Sequence, residues 1–337
     1  MRMITLKGWL KLKVDMDLIM HGWFSEACDA FPGQAFSLKV KKVLFDEKSE
    51  FQHMLVFESE TYGRVLVLDG HIQLTERDEA YYQEMIANIS LNVHPNPRRV
   101  LIIGGGDGGV AREVARHPCV EHIDLVEIDP LVLKVARNYL PFTACGLDHP
   151  KVTVHTADGA SFLRERLTSG QKYDVIITDS TDPGGLATPL FTKEYFQSLH
   201  QSLTDNGIIC NQGKRLMDGK LATHHYSLSS LIHFSQTASS KCVYPTCIVF
   251  LGETMLLEVP MIQKLLSFCR EIFPVVGYAY NIMPTYPCGH IGYVIASKSK
   301  DTDLREAIRD APAECTFYTK ALHKAAFVLP KCYERVS

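Results

Sequence analysis

The sequence lacks any apolar run near the ~18 residues that a membrane-spanning helix needs. It also lacks an excess of either charge, because 35 Lys and Arg residues face 38 Asp and Glu residues and leave a formal net charge of −3. Proteins that hold nucleic acid or anionic membranes mainly through charge are strongly basic. We therefore expect neither nucleic acid nor a membrane among the partners of this protein.

Paired cysteine motifs are absent as well. The ten cysteines form no Cys-x-x-Cys pair, and several lie within apolar runs, such as Cys210 in residues 207–210. Such thiols act as small buried hydrophobic side chains in a reducing compartment. Residues 1–20 mix basic and apolar side chains, without the unbroken apolar stretch of a secretory signal. We expect a cytoplasmic protein whose residues 1–20 form a poorly ordered extension.

The chain contains enough apolar material for about two domains. Its 337 residues are 46% hydrophobic and 22% charged, the balance of a globular protein, and one domain takes roughly 150 residues. Residues 36–45 and 51–58 are rich in β-formers, and Tyr62-Gly63 and Asp69-Gly70 are turn signals. We therefore predict a small antiparallel β domain over residues 21–75.

From residue 76 onward, helical and strand patterns alternate. Apolar side chains recur at helical spacing over residues 76–91 and predict a first helix. Strands that are apolar on both faces, with helices between them, form a parallel sheet covered on both sides. We predict such an α/β domain over residues 76–337, with its ligand site at the carboxyl ends of the strands. The five predicted strands are 100–103, 122–128, 152–155, 174–178 and 207–210.

The first of these strands leads into a glycine-rich loop. Gly104, Gly106 and Gly109 satisfy Gly-x-Gly-x-x-Gly, in which the backbone turns sharply and a ligand approaches the next helix. The pattern alone fits NAD, FAD or an S-adenosyl ligand, and also a tight turn without a ligand. Asp107 inside the loop would repel a pyrophosphate, whereas it suits a ligand with a cationic group.

Acidic residues also end the next two strands. Glu127 ends the second strand, where a carboxylate can accept hydrogen bonds from both hydroxyls of a ribose. Asp158, followed by Gly159, ends the third strand, where a carboxylate can accept a hydrogen bond from an adenine amino group. Together with Asp107, these residues indicate an adenosine pocket without phosphate groups.

The fourth strand ends in a pair of carboxylates. Asp179 is followed by Asp182 and then by Pro183. Two carboxylates beside a nucleoside pocket can anchor a cation or accept a proton. Because Asp and Ser also favour turns before proline, a pair of loop-capping residues is the alternative.

These acidic residues belong to a series of motifs along the chain. The series resembles the spermidine synthase family of aminopropyltransferases over about residues 21–330, with one interruption. The motifs are Gly22-Trp23-Phe24, Pro32-Gly33-Gln34-Ala35, Leu66-Val67-Leu68-Asp69-Gly70, Thr75-Glu76-Arg77-Asp78-Glu79, Tyr82-Gln83-Glu84-Met85, the glycine loop, Glu127-Ile128-Asp129, residues 179–183 and Pro284-Thr285-Tyr286-Pro287.

The resemblance implies a Rossmann-like domain of the methyltransferase type. It also implies transfer of the aminopropyl group of decarboxylated S-adenosylmethionine to putrescine, which gives spermidine and 5′-methylthioadenosine. Asp179 matches the residue that takes the proton from the attacking amine. It also matches part of the putrescine site, together with Tyr82, Asp182 and Tyr286. The positions that match donor-binding residues are Gln52, Gln83, Asp107, Glu127, Asp158 and Gly159.

The resemblance further implies a homodimer and a reaction without a metal or cofactor. The donor is a co-substrate whose sulfonium activates the carbon under attack, so the leaving group is a neutral thioether. None of the 14 histidines has the His-Glu-x-x-His spacing of a metal site, and His224 and His225 are adjacent. We expect putrescine, the nucleoside donor and a second copy of the chain as partners.

Other functions share parts of this pattern. A putrescine N-methyltransferase uses the same scaffold with S-adenosylmethionine itself, and a spermine-type synthase takes a longer acceptor. A nicotinamide oxidoreductase fits the glycine loop but leaves Asp107, Asp158 and Asp179 without a role. Outside the enzymes, an inactive paralogue would serve as a binding partner.

One segment departs from the family. In family members, Gly-Glu follows directly after the residue that matches Gln212 and leads into a helix. In this chain, the matching Gly252-Glu253 comes only after residues 213–251. Because removal of residues 213–251 restores the frame, we interpret them as an insertion from alternative splicing or a translated intron. The insertion follows the fifth predicted strand, so it can impair the neighbouring acceptor site or the next helix.

Overall fold

The computed structural model of the protein describes residues 18–27, 34–181, 185–212 and 255–331. Three features of the sequence analysis lie outside the described residues: most of the N-terminal extension (residues 1–17), Asp182 and the interpreted insertion at residues 213–251.

Within the described residues, six antiparallel strands form the first sheet and follow one another in sequence order. The sheet begins at residue 19, inside the predicted extension, because the next strand buries Phe24 against Phe57 with ring centroids 5.4 Å apart. The predicted turn at Asp69-Gly70 joins the last two strands, and both residues have the positive φ of a two-residue hairpin turn. The strands are β1 (Ile19–Met20), β2 (Trp23–Glu26), β3 (Phe36–Lys48), β4 (His53–Ser59), β5 (Gly63–Leu68) and β6 (His71–Thr75).

The second sheet, as far as the chain is described, has seven strands in the order β12-β13-β11-β10-β7-β8-β9. Strands β7 to β11 are parallel, which confirms the predicted Rossmann-like α/β fold. The sheet is mixed rather than wholly parallel, because β13 pairs antiparallel with both β11 and β12. The strands are β7 (Arg99–Gly104), β8 (His122–Glu127), β9 (Val152–Thr156), β10 (Tyr173–Asp179), β11 (Leu203–Gln212), β12 (Val275–Ile282) and β13 (His290–Ser297).

Helices cover both faces of this second sheet. Along β7, Val100 and Ile102 face the core beside the first helices, whereas Leu101 and Ile103 face the later helices, so both faces are buried. None of the described helices combines the length and the apolarity needed to cross a membrane. The helices are α1 (Glu79–Leu91), α2 (Gly109–Ala115), α3 (Pro130–Tyr139), α4 (Pro141–Ala144), α5 (Gly159–Ser169), α6 (Lys193–Ser202), α7 (Met255–Ile272) and α8 (Lys320–Ala325).

Helix α1 joins the two sheets. Its Met85, Ile86 and Ile89 pack in one core with apolar side chains of both the first and the second sheet. Even a carboxylate on this helix is buried: Glu84 is 1% exposed. Its oxygens accept hydrogen bonds from the backbone N–H groups of residues 316, 317 and 318. Helix α1 therefore holds a C-terminal segment as well as both sheets.

Candidate active site

One cavity lies at the carboxyl ends of the parallel strands, between the second sheet, α1 and the first sheet. Its empty volume is about 990 Å³, which includes open solvent at its mouth. The structure brings together every described residue of the predicted site, and Asp182 alone lies outside the described residues. The predicted residues that line the cavity are Gln52, Tyr82, Gln83, Asp107, Glu127, Asp158, Gly159, Asp179 and Tyr286.

The glycine loop brings the backbone close to the end of β10. Gly104 has φ +85°, and a Cβ atom at this position would overlap the carbonyl oxygen of Asp179. The N–H group of Gly105 donates to the same carbonyl over 2.8 Å. Only glycine allows this approach, so the loop sequence determines how near a ligand comes to both strands.

Asp107 is held in place by neutral donors. Its Oδ1 accepts hydrogen bonds from the N–H of Gly109 (2.8 Å) and from Nε2 of Gln83 (3.0 Å). Burial, with a further contribution from the negative charge of Asp179, raises the pKa of Asp107 to about 8. The other side-chain atom of Gln83, Oε1, is buried and has no hydrogen-bond partner within the described part of the chain. This corner of the cavity therefore offers two acceptors to a cationic group.

Glu127 ends β8 beneath the same loop. Its Oε1 accepts a hydrogen bond from the N–H of Asp129 over 2.9 Å. A Cβ atom on Gly106 would lie 2.7 Å from the other oxygen, Oε2, so this glycine leaves the space around the carboxylate. Burial raises the pKa of Glu127 to about 7.

Asp158 and Gly159 lie where β9 leads into α5. Asp158 is the N-cap residue of the helix, and its Oδ1 accepts a hydrogen bond from the N–H of Ser161 over 2.7 Å. A Cβ atom on Gly159 would overlap the side chain of Ile103, so the helix can start this close to β7 only with glycine. The cap fixes one carboxylate oxygen and orients the group toward the cavity.

Asp179 ends β10 and meets a tyrosine from α1. The hydroxyl of Tyr82 donates to Oδ1 of Asp179 over 2.5 Å, and Oε1 of Gln212 lies 3.2 Å from the same hydroxyl. Burial, followed by the negative charge of Asp179, raises the pKa of Tyr82 well above its usual range. Tyr82 therefore remains a hydrogen-bond donor at all physiological pH values.

Tyr286 lines the cavity beside Tyr82. Its hydroxyl donates to the carbonyl oxygen of Gln73 on β6 over 2.6 Å, and its ring centroid lies 6.0 Å from that of Tyr82. The two rings form an aromatic wall next to Asp179, which suits the methylene chain of an alkyl amine.

Gln52 reaches the cavity from the first sheet through a contact with the second. Its Nε2 donates to Oδ2 of Asp129 over 3.1 Å, and the hydroxyl of Ser49 donates to the same oxygen over 2.7 Å. Oδ1 of Asp129 also caps α3 through the N–H of Leu131. Asp129, which is fully buried, thus sets the position of Gln52.

Sequence reasoning assigned no role to four polar residues of the described cavity lining, Gln73, Ser180, Thr181 and Gln212, although residues 180 and 181 lie within the motif at residues 179–183. Gln212 ends β11, so the strand-end rule that identified the acidic residues applies to it as well. Gln73 lies within β6 of the first sheet, and no local pattern in the sequence marks it.

A second acidic group lies outside the cavity. Glu84, Glu113 and Cys315 place their ligand atoms within 4.8 Å of one another. Glu84 already accepts hydrogen bonds from residues 316–318, and Glu113 is paired with Arg112 and Arg116. Since these carboxylates have protein partners, the group is a structural network and not a metal site.

Two family profiles match the chain. The profile described as "Spermine/spermidine synthase domain" matches residues 79–249 and 221–306. The profile described as "Spermidine synthase tetramerisation domain" matches residues 22–76, which hold most of the first sheet.

Curated relatives match along most of the chain. A spermidine synthase of Schizosaccharomyces pombe is 46% identical over 318 residues, which are 93% of this chain and 93% of the relative. A spermidine synthase of Dictyostelium discoideum is 44% identical over 318 residues, which are 94% of this chain and 97% of the relative.

Solved structures agree with these relatives. A crystal structure of a spermidine synthase in complex with the transition state analogue AdoDATO is 31% identical, with a TM-score of 0.76 over 94% of each chain. A crystal structure of the spermidine synthase of Thermotoga maritima is 31% identical, with a TM-score of 0.75 over 94% of each chain.

Proposed function

The chain belongs to the spermine/spermidine synthase family, and from this premise we propose that it is an aminopropyltransferase that makes spermidine. Its donor is decarboxylated S-adenosylmethionine, its acceptor is putrescine, and 5′-methylthioadenosine is the second product.

The observation that carries this proposal is that all charged side chains in the described lining of the cavity are acidic. Its described lining contains four carboxylates, Asp107, Glu127, Asp158 and Asp179, and none of the described lining residues is Lys, Arg or His. Such a pocket attracts cations and opposes phosphate groups. Both substrates are cationic, because the donor carries a sulfonium and an ammonium group and putrescine is a diamine.

The donor occupies the strand ends in this proposal. Glu127 accepts hydrogen bonds from the ribose hydroxyls, and Asp158 with Gly159 faces the adenine. Asp107 and Oε1 of Gln83 accept hydrogen bonds from the ammonium of the aminopropyl group. Gln52 contacts the donor from the first sheet, where Asp129 holds its amide.

The acceptor lies along the aromatic wall with its reacting amine at Asp179. Tyr82 and Tyr286 flank the methylene chain, and Asp182 binds the diamine as the family resemblance implies. The amine must be neutral to attack, although the pKa of an alkyl amine is near ~10.4. Asp179 accepts a hydrogen bond from this amine and then its proton, while the bound geometry supplies much of the rate.

The chemical step is a single displacement. The lone pair of the putrescine nitrogen forms a bond to the aminopropyl carbon, the carbon–sulfur bond breaks, and its electron pair stays on sulfur as a neutral thioether. The proton of the new secondary ammonium passes to Asp179 and then to solvent. Because the leaving group is neutral, we propose that the reaction needs no metal or other cofactor.

Asp107 favours the decarboxylated donor over S-adenosylmethionine. A donor that kept its α-carboxylate would bring that negative charge beside Asp107 in a cavity whose described lining has no Lys, Arg or His to balance it, which is unfavourable at low dielectric. The cavity therefore disfavours the putrescine N-methyltransferase, and the complete set of described acids and tyrosines disfavours an inactive paralogue.

The test compares the two donors with one acceptor. The purified chain is incubated with putrescine and either decarboxylated S-adenosylmethionine or S-adenosylmethionine, and products are identified by mass spectrometry. We expect spermidine and 5′-methylthioadenosine with the first donor alone. Methylputrescine from the second donor would overturn the proposal, as would the absence of product in both mixtures. Asp179→Asn, prepared identically, controls for a contaminating enzyme.

We further propose that the enzyme is cytoplasmic and assembles from several copies of the chain. Six described cysteines are free thiols, as a reducing compartment requires. The first sheet carries the match to a tetramerisation domain, so it is the expected contact between copies. Light scattering gives the number of copies and distinguishes a tetramer from the homodimer that the sequence analysis predicts.

A further inference from the structure

Asp78 occupies the N-cap position of α1 but does not cap the helix. Asp is among the preferred N-cap residues because its side chain accepts a hydrogen bond from an N–H group of the first turn. Asp78 makes no such side-chain bond, although it immediately precedes Glu79, where the helix begins. Both of its carboxylate oxygens are used elsewhere.

The carboxylate of Asp78 joins two distant segments. Its Oδ1 accepts a hydrogen bond from the hydroxyl of Thr75 at the end of β6, over 2.5 Å. Its Oδ2 accepts two from Thr285, from the N–H over 3.1 Å and from the hydroxyl over 2.8 Å. Asp78 is 2% exposed and both threonines are fully buried, so these bonds are shielded from water.

These bonds hold Thr285, which is next to Tyr286 in the sequence. Tyr286 follows Thr285 directly, and the N–H of Tyr286 donates to the carbonyl oxygen of Met283 within the same loop. The other tyrosine of the aromatic wall, Tyr82, lies in the first turn of α1, four residues after Asp78. The start of α1 therefore positions both tyrosines.

We infer that Asp78 is a positioning residue for the acceptor, which holds Tyr286 against Tyr82 and so sets the shape of the diamine channel. This inference rests on the proposed function, because it assigns the aromatic wall to putrescine. Asp78 is not among the residues that line the cavity. We therefore expect its loss to affect the acceptor, through Tyr286, and to leave the donor contacts unchanged.

A matched control lies on the same helix. Glu84 is equally buried and also uses its carboxylate to hold a distant backbone, residues 316–318. That segment does not line the cavity. Loss of Glu84 therefore reports on helix stability without moving Tyr286.

The experiment measures steady-state kinetics for Asp78→Ala, Asp78→Asn, Thr285→Val, Thr285→Ser and Glu84→Gln. A hydrogen bond to a charged group contributes enough that Asp78→Ala should raise the putrescine KM about tenfold to hundredfold. We expect the donor KM to stay within about twofold. Asp78→Asn and Thr285→Ser keep a side chain that can form hydrogen bonds at each position and should retain most of the affinity, whereas Thr285→Val should not.

A second readout does not depend on turnover. Hydrogen–deuterium exchange of residues 283–289 should accelerate in Asp78→Ala and Thr285→Val, and should match wild type in Glu84→Gln. An unchanged putrescine KM in folded variants, or equal rises in both KM values, overturns the inference. If the wild type makes no spermidine, the proposed function is wrong. In that case, unchanged hydrogen–deuterium exchange in Asp78→Ala and Thr285→Val would separately refute the positioning of Tyr286 by Asp78.

Discussion

Buried acids make the charge of the cavity depend on pH. Burial raises the pKa of Asp107 to about 8, with a contribution from the charge of Asp179, and raises that of Glu127 to about 7. In the free protein at neutral pH, these groups therefore hold protons that an exposed carboxyl would have lost. A cationic donor favours the carboxylate form of Asp107, so its binding should release protons.

The affinity for the donor should therefore fall as the pH falls. Below pH 8, Asp107 becomes protonated in the free protein, and the bound cation must displace that proton, which weakens binding by up to about tenfold per pH unit. Isothermal titration calorimetry with donor alone, from pH 8.5 to 6, measures this change. Buffers with different ionisation enthalpies count the protons released.

The control for this prediction is Asp107→Asn. The variant should bind the donor more weakly at pH 8.5 and show a much flatter dependence on pH, with only the contribution of Glu127 remaining. If the wild type and the variant have the same pH slope, Asp107 does not face the ammonium group.

At Asp179, loss of the base should affect turnover far more than binding. Asp179→Asn keeps the size of the side chain but cannot accept the amine proton, so kcat should fall about 10²- to 10⁴-fold. Donor affinity by calorimetry should change far less than kcat, because Asp107, Glu127 and Asp158, which hold the donor in the proposed function, remain in place. Asp148→Asn, at an exposed aspartate paired with Arg137, should keep full activity. Wild-type turnover by Asp179→Asn would exclude this residue as the base.

At the scale of elements, the sequence allowed the parallel part of the second sheet to be predicted, but not its antiparallel edge. Strands β7 to β11 are short apolar runs between helices, and that alternation is a local signal. Strands β12 and β13 form a hairpin whose place depends on the distant pairing of β13 with β11, for example Ile295 with Cys210. No local pattern carries such a pairing, so the mixed edge of the sheet appears only in the structure.

The candidate site likewise has one part that could be predicted from the sequence and one part that could not. Acids at successive strand ends could be predicted to meet, because the carboxyl ends of parallel strands share one edge. The bond between Tyr82 and Asp179 joins residues 97 positions apart, and the tether of Asp78 to Thr285 spans 207. Both depend on how α1 packs between the sheets, so residue spacing does not reveal them.

The turn from β7 to α2 gives a direct test of element geometry. In Gly104→Ala, the alanine would have to adopt φ +85°, and its Cβ atom would overlap the carbonyl oxygen of Asp179. Strain and overlap together should lower the free energy of unfolding by about 3 kcal/mol or more. Urea unfolding followed by circular dichroism measures the loss.

Gly170→Ala separates strain from overlap. Gly170 also has a positive φ, +73°, but a Cβ there would meet nothing within 4 Å. We expect a loss of about 1–2 kcal/mol from the left-handed conformation alone. Equal losses at Gly104 and Gly170 would contradict the close approach of the loop to β10.

At the scale of the whole molecule, the first sheet should control assembly. Met20 and Trp23 on β1 and β2 are 66% and 45% exposed, in the region that matches a tetramerisation domain. Trp23→Glu would place a charge in an apolar contact and should reduce the number of copies, as measured by multi-angle light scattering. Val328→Glu, at another exposed apolar residue, should leave the assembly unchanged. An unchanged assembly in Trp23→Glu would argue against this contact.

The interpreted insertion makes a prediction about the chain as a whole. A protein without residues 213–251 joins Gln212 directly to Gly252, as the family resemblance implies. We expect this shorter chain to make spermidine at least as fast as the full chain in the same mass-spectrometric assay. A shorter chain that folds but has lower activity would contradict the interpretation, and so would its absence from all transcripts.

Helix α1 has a consequence for how the protein is made. The helix leaves the ribosome early, but two buried carboxylates of the helix and its N-cap bind partners from far downstream. Asp78 binds Thr285, and Glu84 binds Tyr318, which is synthesised 234 positions later. Until then, burial of either carboxylate would leave a charged acceptor unsatisfied, at a cost of about 1–3 kcal/mol or more each. We therefore expect that a chain truncated before residue 285 does not complete its acceptor site, although α1 is present.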